Sequence, residues 1–250
     1  MWITLGLIVL AALGCVLAVL PHLIALAQTG DWTYIADGDE LLYLAWSRDC
    51  VLHGRAHLID AVHLVSGPMM HPRLIFVTPG LAGHWFGLGM TEIGILWRIL
   101  AGIGIALGFY VAVRPGLARP GLALALAAFL LFDTGVAFGQ LVQRTGEVVV
   151  SIWQSRSEFF ATAPQMSPHL RVVTPGLAIP FYLVHLGLTL QARIRGDRRS
   201  IMLASLSFGL LFYVYFYFWT AAALGLVLAF MVDSKARRLY ATVLVLGGVV

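Results

Sequence analysis

Residues 201–232 read Ile201-Met-Leu-Ala-Ser-Leu-Ser-Phe-Gly-Leu-Leu-Phe-Tyr-Val-Tyr-Phe-Tyr-Phe-Trp-Thr-Ala-Ala-Ala-Leu-Gly-Leu-Val-Leu-Ala-Phe-Met-Val232, thirty-two positions without a charged side chain. As one helix rising 1.5 Å per residue this run is about 48 Å long, well beyond the ~30 Å hydrocarbon core of a bilayer. Arg193, Arg195, Arg198 and Arg199 stand before it, and Lys235, Arg237 and Arg238 after it. Basic residues collect on the cytoplasmic side of membrane proteins, so both clusters belong on one side. The run must then go in and come back as two short helices, turning near Tyr215–Trp219, where aromatic rings suit the interface. One segment thus implies a helical membrane protein with several crossings.

Composition agrees. The chain of 250 residues is 60% hydrophobic and 11% charged, with mean hydropathy +0.89; a soluble domain carries about 25% charged residues. The net charge of +4 rests on arginine, since Lys235 is the single lysine. Those arginines are scattered, which fits topology and lipid headgroups and excludes a nucleic-acid patch. Asparagine is absent, so there is no N-glycosylation sequon. Cys15 lies inside the first apolar run and Cys50 outside it, which argues against a disulfide.

The pattern predicts an all-α, polytopic transmembrane helix bundle forming a single domain over 1–250. Spans are expected at roughly 2–27, 93–113, 121–140, 175–192, 201–216 and 217–232, with the start of another at 239–250. Residues 241–250 are apolar to the last, which reads as a fragment of a longer protein. The first run has no positive n-region and exceeds a usual signal-peptide core, so it reads as an uncleaved span. Two polar stretches, 28–90 and 141–174, become extracytoplasmic loops with short juxtamembrane helices. The first holds six of the twelve acidic residues and five of the eight histidines. Pro-Gly-Leu-Ala occurs four times, from Pro79, Pro115, Pro120 and Pro175; proline in a first helical turn is the plain reading, and a repeated ligand-binding element the alternative.

Chemistry points to Ile35-Ala-Asp37-Gly-Asp39-Glu40-Leu-Leu-Tyr43, three carboxylates within four residues just past the first span. Asp37 as a cap, Glu40 near the start and Gly54 as a stop define a helix over this region. Capping leaves Asp39 unexplained. Crowded carboxylates raise one pKa unless a cation is near, which suits a general base or a metal ligand.

Asp39-Glu40-x-x-Tyr43, with Arg48 and Gly54 downstream in a first outer loop, resembles the Asp-Glu-x-x-Tyr segment of polytopic GT-C glycosyltransferases, particularly the bacterial relatives of protein mannosyltransferases and aminoarabinose transferases. Ser167-Pro-His-Leu-Arg171 and the aromatic run 209–219 are similar in style to that superfamily, whereas its Lys-Pro-Pro segment is here His71-Pro72-Arg73 and the second loop has only the isolated Glu147 and Glu158. The resemblance implies a glycosyltransferase of the bacterial inner membrane, moving a hexosyl or pentosyl group from a polyprenyl-phosphate donor to an acceptor at the outer face. It implies Asp39, Glu40 and Asp37 as catalytic residues, with Asp39 as base. Arg73, His71, Arg171 and His169 are then donor-phosphate ligands, and Asp37 and Asp39 ligands of a divalent cation, Mg or Mn. Headgroup snorkelling is the plain alternative for the arginines.

Two charges fall within spans, Arg98 and Asp133, at nearly matching depths. A buried pair is the simplest reading; an ion or proton path, which would make the protein a transporter or channel, is the alternative. His53, His57 and His63 are irregularly spaced for zinc and read better as loop histidines near headgroups. Val148–Phe160 is amphipathic and suits a helix lying on the outer leaflet, or an ordinary packed loop helix. A non-catalytic scaffold is the third class.

Overall fold

In a computed structural model of the chain, which describes residues 2–30, 39–54, 74–132 and 177–249, every regular element is helical. In order these are α1 (Trp2–Thr29), α2 (Asp39–His53), α3 (Leu74–Phe86), α4 (Met90–Val113), α5 (Pro120–Phe132), α6 (Ile179–Arg195), α7 (Arg198–Val214), α8 (Phe216–Val232) and α9 (Arg237–Val249). Single 3₁₀ turns lie at Arg114–Gly116 and Ser234–Ala236. By length and composition α1 and α4 are able to cross a membrane, and α8 with the segment Ser234–Val249 is a third candidate, bent by 110°. Large apolar side chains such as Ile8, Leu122, Leu206, Leu224 and Met231 are exposed along the helices, a surface suited to lipid rather than water.

Between lipid-facing helices the hydrophobic effect gives little association, so close backbone approach has to supply it. The α1–α4 seam does this with small residues. A Cβ on Gly14 would run into the Gly102 carbonyl oxygen and come within 2.8 Å of Ala106 Cβ; one on Gly102 would come within 2.8 Å of Ala18 Cβ. The pairings 14/106 and 18/102 make the two helices antiparallel. Leu10, Ala18, Ile105, Ala106, Ala127 and Leu131 form the buried cluster that adds α5 to this pair. Gly102→Val is expected to destabilise the protein by about 1–3 kcal/mol, since the clash is with backbone that cannot rotate away. Thermal unfolding in detergent reads this, and an unchanged transition would contradict the seam.

Along its other face α4 packs on α6 in the same direction: a Cβ on Gly104 would lie 2.9 Å from Pro180 Cγ, and Gly187 sits against the Val111 backbone. The α6–α7 turn is fixed locally. Gly196 adopts φ 67° and its N–H donates to the Ala192 carbonyl at 2.8 Å, the left-handed stop that favours glycine. Asp197 then caps α7, accepting from the Ser200 N–H at 2.9 Å and from its hydroxyl at 2.8 Å.

The charge-free run 201–232 is divided at Tyr215, whose extended backbone (φ −161°, ψ 111°) separates α7 from α8. Tyr215 N–H closes α7 on the Leu211 carbonyl, and its own carbonyl accepts from the Phe218 and Trp219 amides that open α8. Aromatic rings hold the fold-back. Trp219 stacks on Phe208 at 5.7 Å between centroids and meets Phe212 edge-on at 5.5 Å; Phe218 stacks on Tyr182 of α6 at 5.2 Å. In one continuous helix, eleven residues would separate Phe208 and Trp219 by about 16 Å. A buried cluster with Ala192, Phe208, Leu211, Leu226, Tyr240 and Val243 joins α6 to α9.

The polar reading of 28–90 needs one amendment. Its last part forms α3, an apolar helix whose Ile75 and Phe76 are buried in a cluster with Cys50, Ala178 and Val214. Pro79 lies inside α3, not at its first turn as expected for this repeat; Pro120 does open α5, and Pro115 stands in the 3₁₀ turn after α4. Pro79 has no N–H to donate, and the neighbouring Thr78 hydroxyl supplies a bond to the Leu74 carbonyl at 2.7 Å.

Candidate functional site

Asp39 and Glu40 are the first two residues of α2, where negative side chains suit the helix dipole. Of these two the structure describes the backbone. Asp37, His71, Arg73, His169 and Arg171 lie outside the described residues, as do Asp133, His57, His63 and the 148–160 segment. What the structure describes here is the frame on which α2 is mounted.

That frame is built with α3. Gly80 faces the Ser47 carbonyl, a Cβ on Gly83 would approach Val51 Cγ2 at 3.2 Å, and His84 Nδ1 donates to the Val51 carbonyl at 2.8 Å. These pairings make α2 and α3 parallel. A carbonyl can only accept, so Nδ1 of His84 carries the proton. Gly54 ends α2 with φ 62° and bonds back to Cys50 at 2.9 Å, the stop expected there. Gly83 also abuts Ile93 in the first turns of α4. The α2–α3 pair thus caps the end of α4 that lies away from Arg114. Trp85 and Phe86, both 73% exposed, project from α3 at that end, where aromatic rings favour a membrane interface.

Arg98 is buried in α4. Continuing the α1–α4 register from 14/106 and 18/102 by one turn puts His22, also buried, level with Arg98. His22 was missed because one histidine in a long apolar run carries no periodic signal; only the register gives it a cationic neighbour. His53, considered for zinc, lies exposed in the last turn of α2.

The opposite end is strongly basic. The α4–α5, α6–α7 and α8–α9 connections bring together Arg114, Arg119, Arg193, Arg195, Arg198, Arg199, Lys235, Arg237 and Arg238, nine of the sixteen Lys and Arg, with Asp197 and Asp233 as the described carboxylates among them. Arg114 and Arg195 line one cleft, and the Arg193 guanidinium forks onto Asp233, with Nη2 at 3.2 Å from Oδ1. Tyr240 donates to the same carboxylate at 3.4 Å.

The Arg193 hydrogen bond holds the Asp233 carboxyl below its ordinary value of 3.8. A carboxyl depressed by folding contributes stability above its unfolded pKa and loses it as pH falls through the folded one. Stability in detergent should therefore decline as pH drops below about 4, and the decline should be shallower in Asp233→Asn, which is already weakened at neutral pH. Parallel curves for the two proteins would contradict this role.

The described residues form an all-helical chain with two helices long and apolar enough to cross a bilayer. This is the architecture of a helical membrane protein. No protein-family model, curated protein or solved structure matches the chain.

Proposed function

We propose that the protein is a polytopic glycosyltransferase of the bacterial inner membrane, similar to the GT-C superfamily, that transfers a sugar from a polyprenyl-phosphate-linked donor at the extracytoplasmic face. One observation carries this reading: α2 starts with Asp39-Glu40 soon after the first apolar helix, and is mounted on the end of α4 remote from the nine-cation end. By the positive-inside rule the basic end is cytoplasmic, which puts the acidic segment outside, where lipid-linked sugars are presented. In this account α6, α7 and α8 supply further crossings and, at seventeen residues each, are at the short limit for a span.

The transfer inverts the anomeric centre. The acceptor hydroxyl oxygen attacks the anomeric carbon, the bond from that carbon to the phosphate oxygen breaks, and the hydroxyl proton passes to the Asp39 carboxylate. The polyprenyl phosphate leaves as a dianion, and Arg73, His71, Arg171 and His169 are the candidate cations to receive it. Asp37 and Asp39 are the residues that would hold a divalent cation, Mg or Mn. The step above does not depend on it.

The test is sugar release from polyprenyl-phosphate donors in membranes containing the full-length protein. Release above control membranes is expected for at least one hexosyl or pentosyl donor, and its absence across the panel would overturn the proposal. The burial of Arg98 in a candidate span favours a second reading, a transporter or channel using Arg98 and Asp133; ion flux in proteoliposomes without any sugar release would select it.

A further inference from the structure

A cleft of about 320 Å³ opens at the basic end, lined by Arg114, Pro115, Gln191, Ile194 and Arg195. Two elements build it. Arg114 heads the 3₁₀ turn after α4, where it spends one of its donors on the Leu117 carbonyl at 2.7 Å; Arg195 is the last residue of α6 and Gln191 lies one turn earlier. The two guanidiniums repel each other across the cleft unless an anion stands between them. The described carboxylates of this end are engaged elsewhere. Asp233 takes Arg193, and Asp197, although close enough to Arg195 to feel its charge, gives its oxygens to Ser200.

We propose that this cleft holds the phosphate of an anionic phospholipid headgroup. Guanidiniums match phosphate oxygens bidentately, and basic pockets between membrane helices on the cytoplasmic side bind anionic headgroups. The Gln191 amide adds a donor for a headgroup oxygen. Beside the arginines the surface turns apolar: Ile194 is 58% exposed, and Leu190, against Gly116, is 37% exposed. A free phosphate has no use for that apolar flank, whereas acyl chains leaving the cleft would lie along it. The site is remote from the acidic segment and does not depend on sugar transfer.

The test is lipid retention by the full-length chain in nanodiscs of phosphatidylcholine with increasing phosphatidylglycerol, read by native mass spectrometry. The chain should retain phosphatidylglycerol preferentially. Arg195→Gln and Arg114→Gln should each weaken that preference about fivefold, the worth of one basic residue near an anionic surface. Arg195→Lys, which keeps charge but not the fork, should fall between. Arg238→Gln, at the same end but outside the cleft, should change it less than twofold. Because Arg114 also bonds the Leu117 carbonyl, Arg195→Gln is the deciding variant. Unchanged retention in Arg195→Gln overturns the site. An equal loss in Arg238→Gln shows a diffuse basic field and overturns it as well. Saturation by millimolar inorganic phosphate without lipid preference would replace the headgroup by a soluble anion, and the proposal would fail.

Discussion

Asp39→Asn is expected to leave the protein folded and to lower sugar transfer by a factor of about 10² to 10⁴, the usual worth of a positioned general base. The substitution keeps the size and polarity of the side chain and removes its ability to take a proton. Its neighbours separate catalysis from structure. Asp37→Asn retains a capping oxygen and should cost little stability. Glu40→Gln, in the first turn of α2, should fall between, since it loses a favourable charge at the helix start. Full transfer activity in well-folded Asp39→Asn would remove Asp39 from the mechanism while leaving the membrane architecture untouched.

The second large effect concerns Arg98. If Asp133 is its partner, Asp133→Ala strands a buried guanidinium and should cost about 3–5 kcal/mol. The Arg98→Ala, Asp133→Ala double variant should be less destabilised than that single variant, because no charge is then left in hydrocarbon. Thermal unfolding of both single variants and the double completes the cycle. Additive losses would separate the two residues and leave His22, level with Arg98 on α1, as the group to vary next.

How much of this was legible in the sequence depends on the range of the interaction. Apolar length is local, so the runs that became α1 and α4 were plain. The length of 201–232 required a break and the aromatic stretch 215–219 marked its place, at Tyr215 in the structure; the stacking of Phe208 on Trp219 across it was not readable. The helix α3 was absorbed into a polar stretch because thirteen residues with an internal Pro79 are too short for a span; only its packing against Cys50, Ala178 and Val214 explains its apolar character. The Gly14–Gly102 seam and the Arg193–Asp233 fork join residues 88 and 40 positions apart, and no periodicity encodes such pairings. For the candidate site, the stop signal of α2 was readable at Gly54, while the expected cap, Asp37, lies outside the described residues. The phosphate ligands rest on the family resemblance and on a leaving phosphate's need for cations; His71, Arg73, His169 and Arg171 lie outside the described residues.

The most direct test of the central claim, that the helices cross the bilayer with the basic end inside and the α2–α3 end outside, is cysteine labelling from each side. In a background with Cys15 and Cys50 replaced, single cysteines at Trp85, beside the start of α4, and at Ser234, beside Lys235, mark the two ends. An impermeant maleimide added to intact cells should label Trp85→Cys and spare Ser234→Cys until the membrane is opened. Labelling of both positions from the same side would contradict the account.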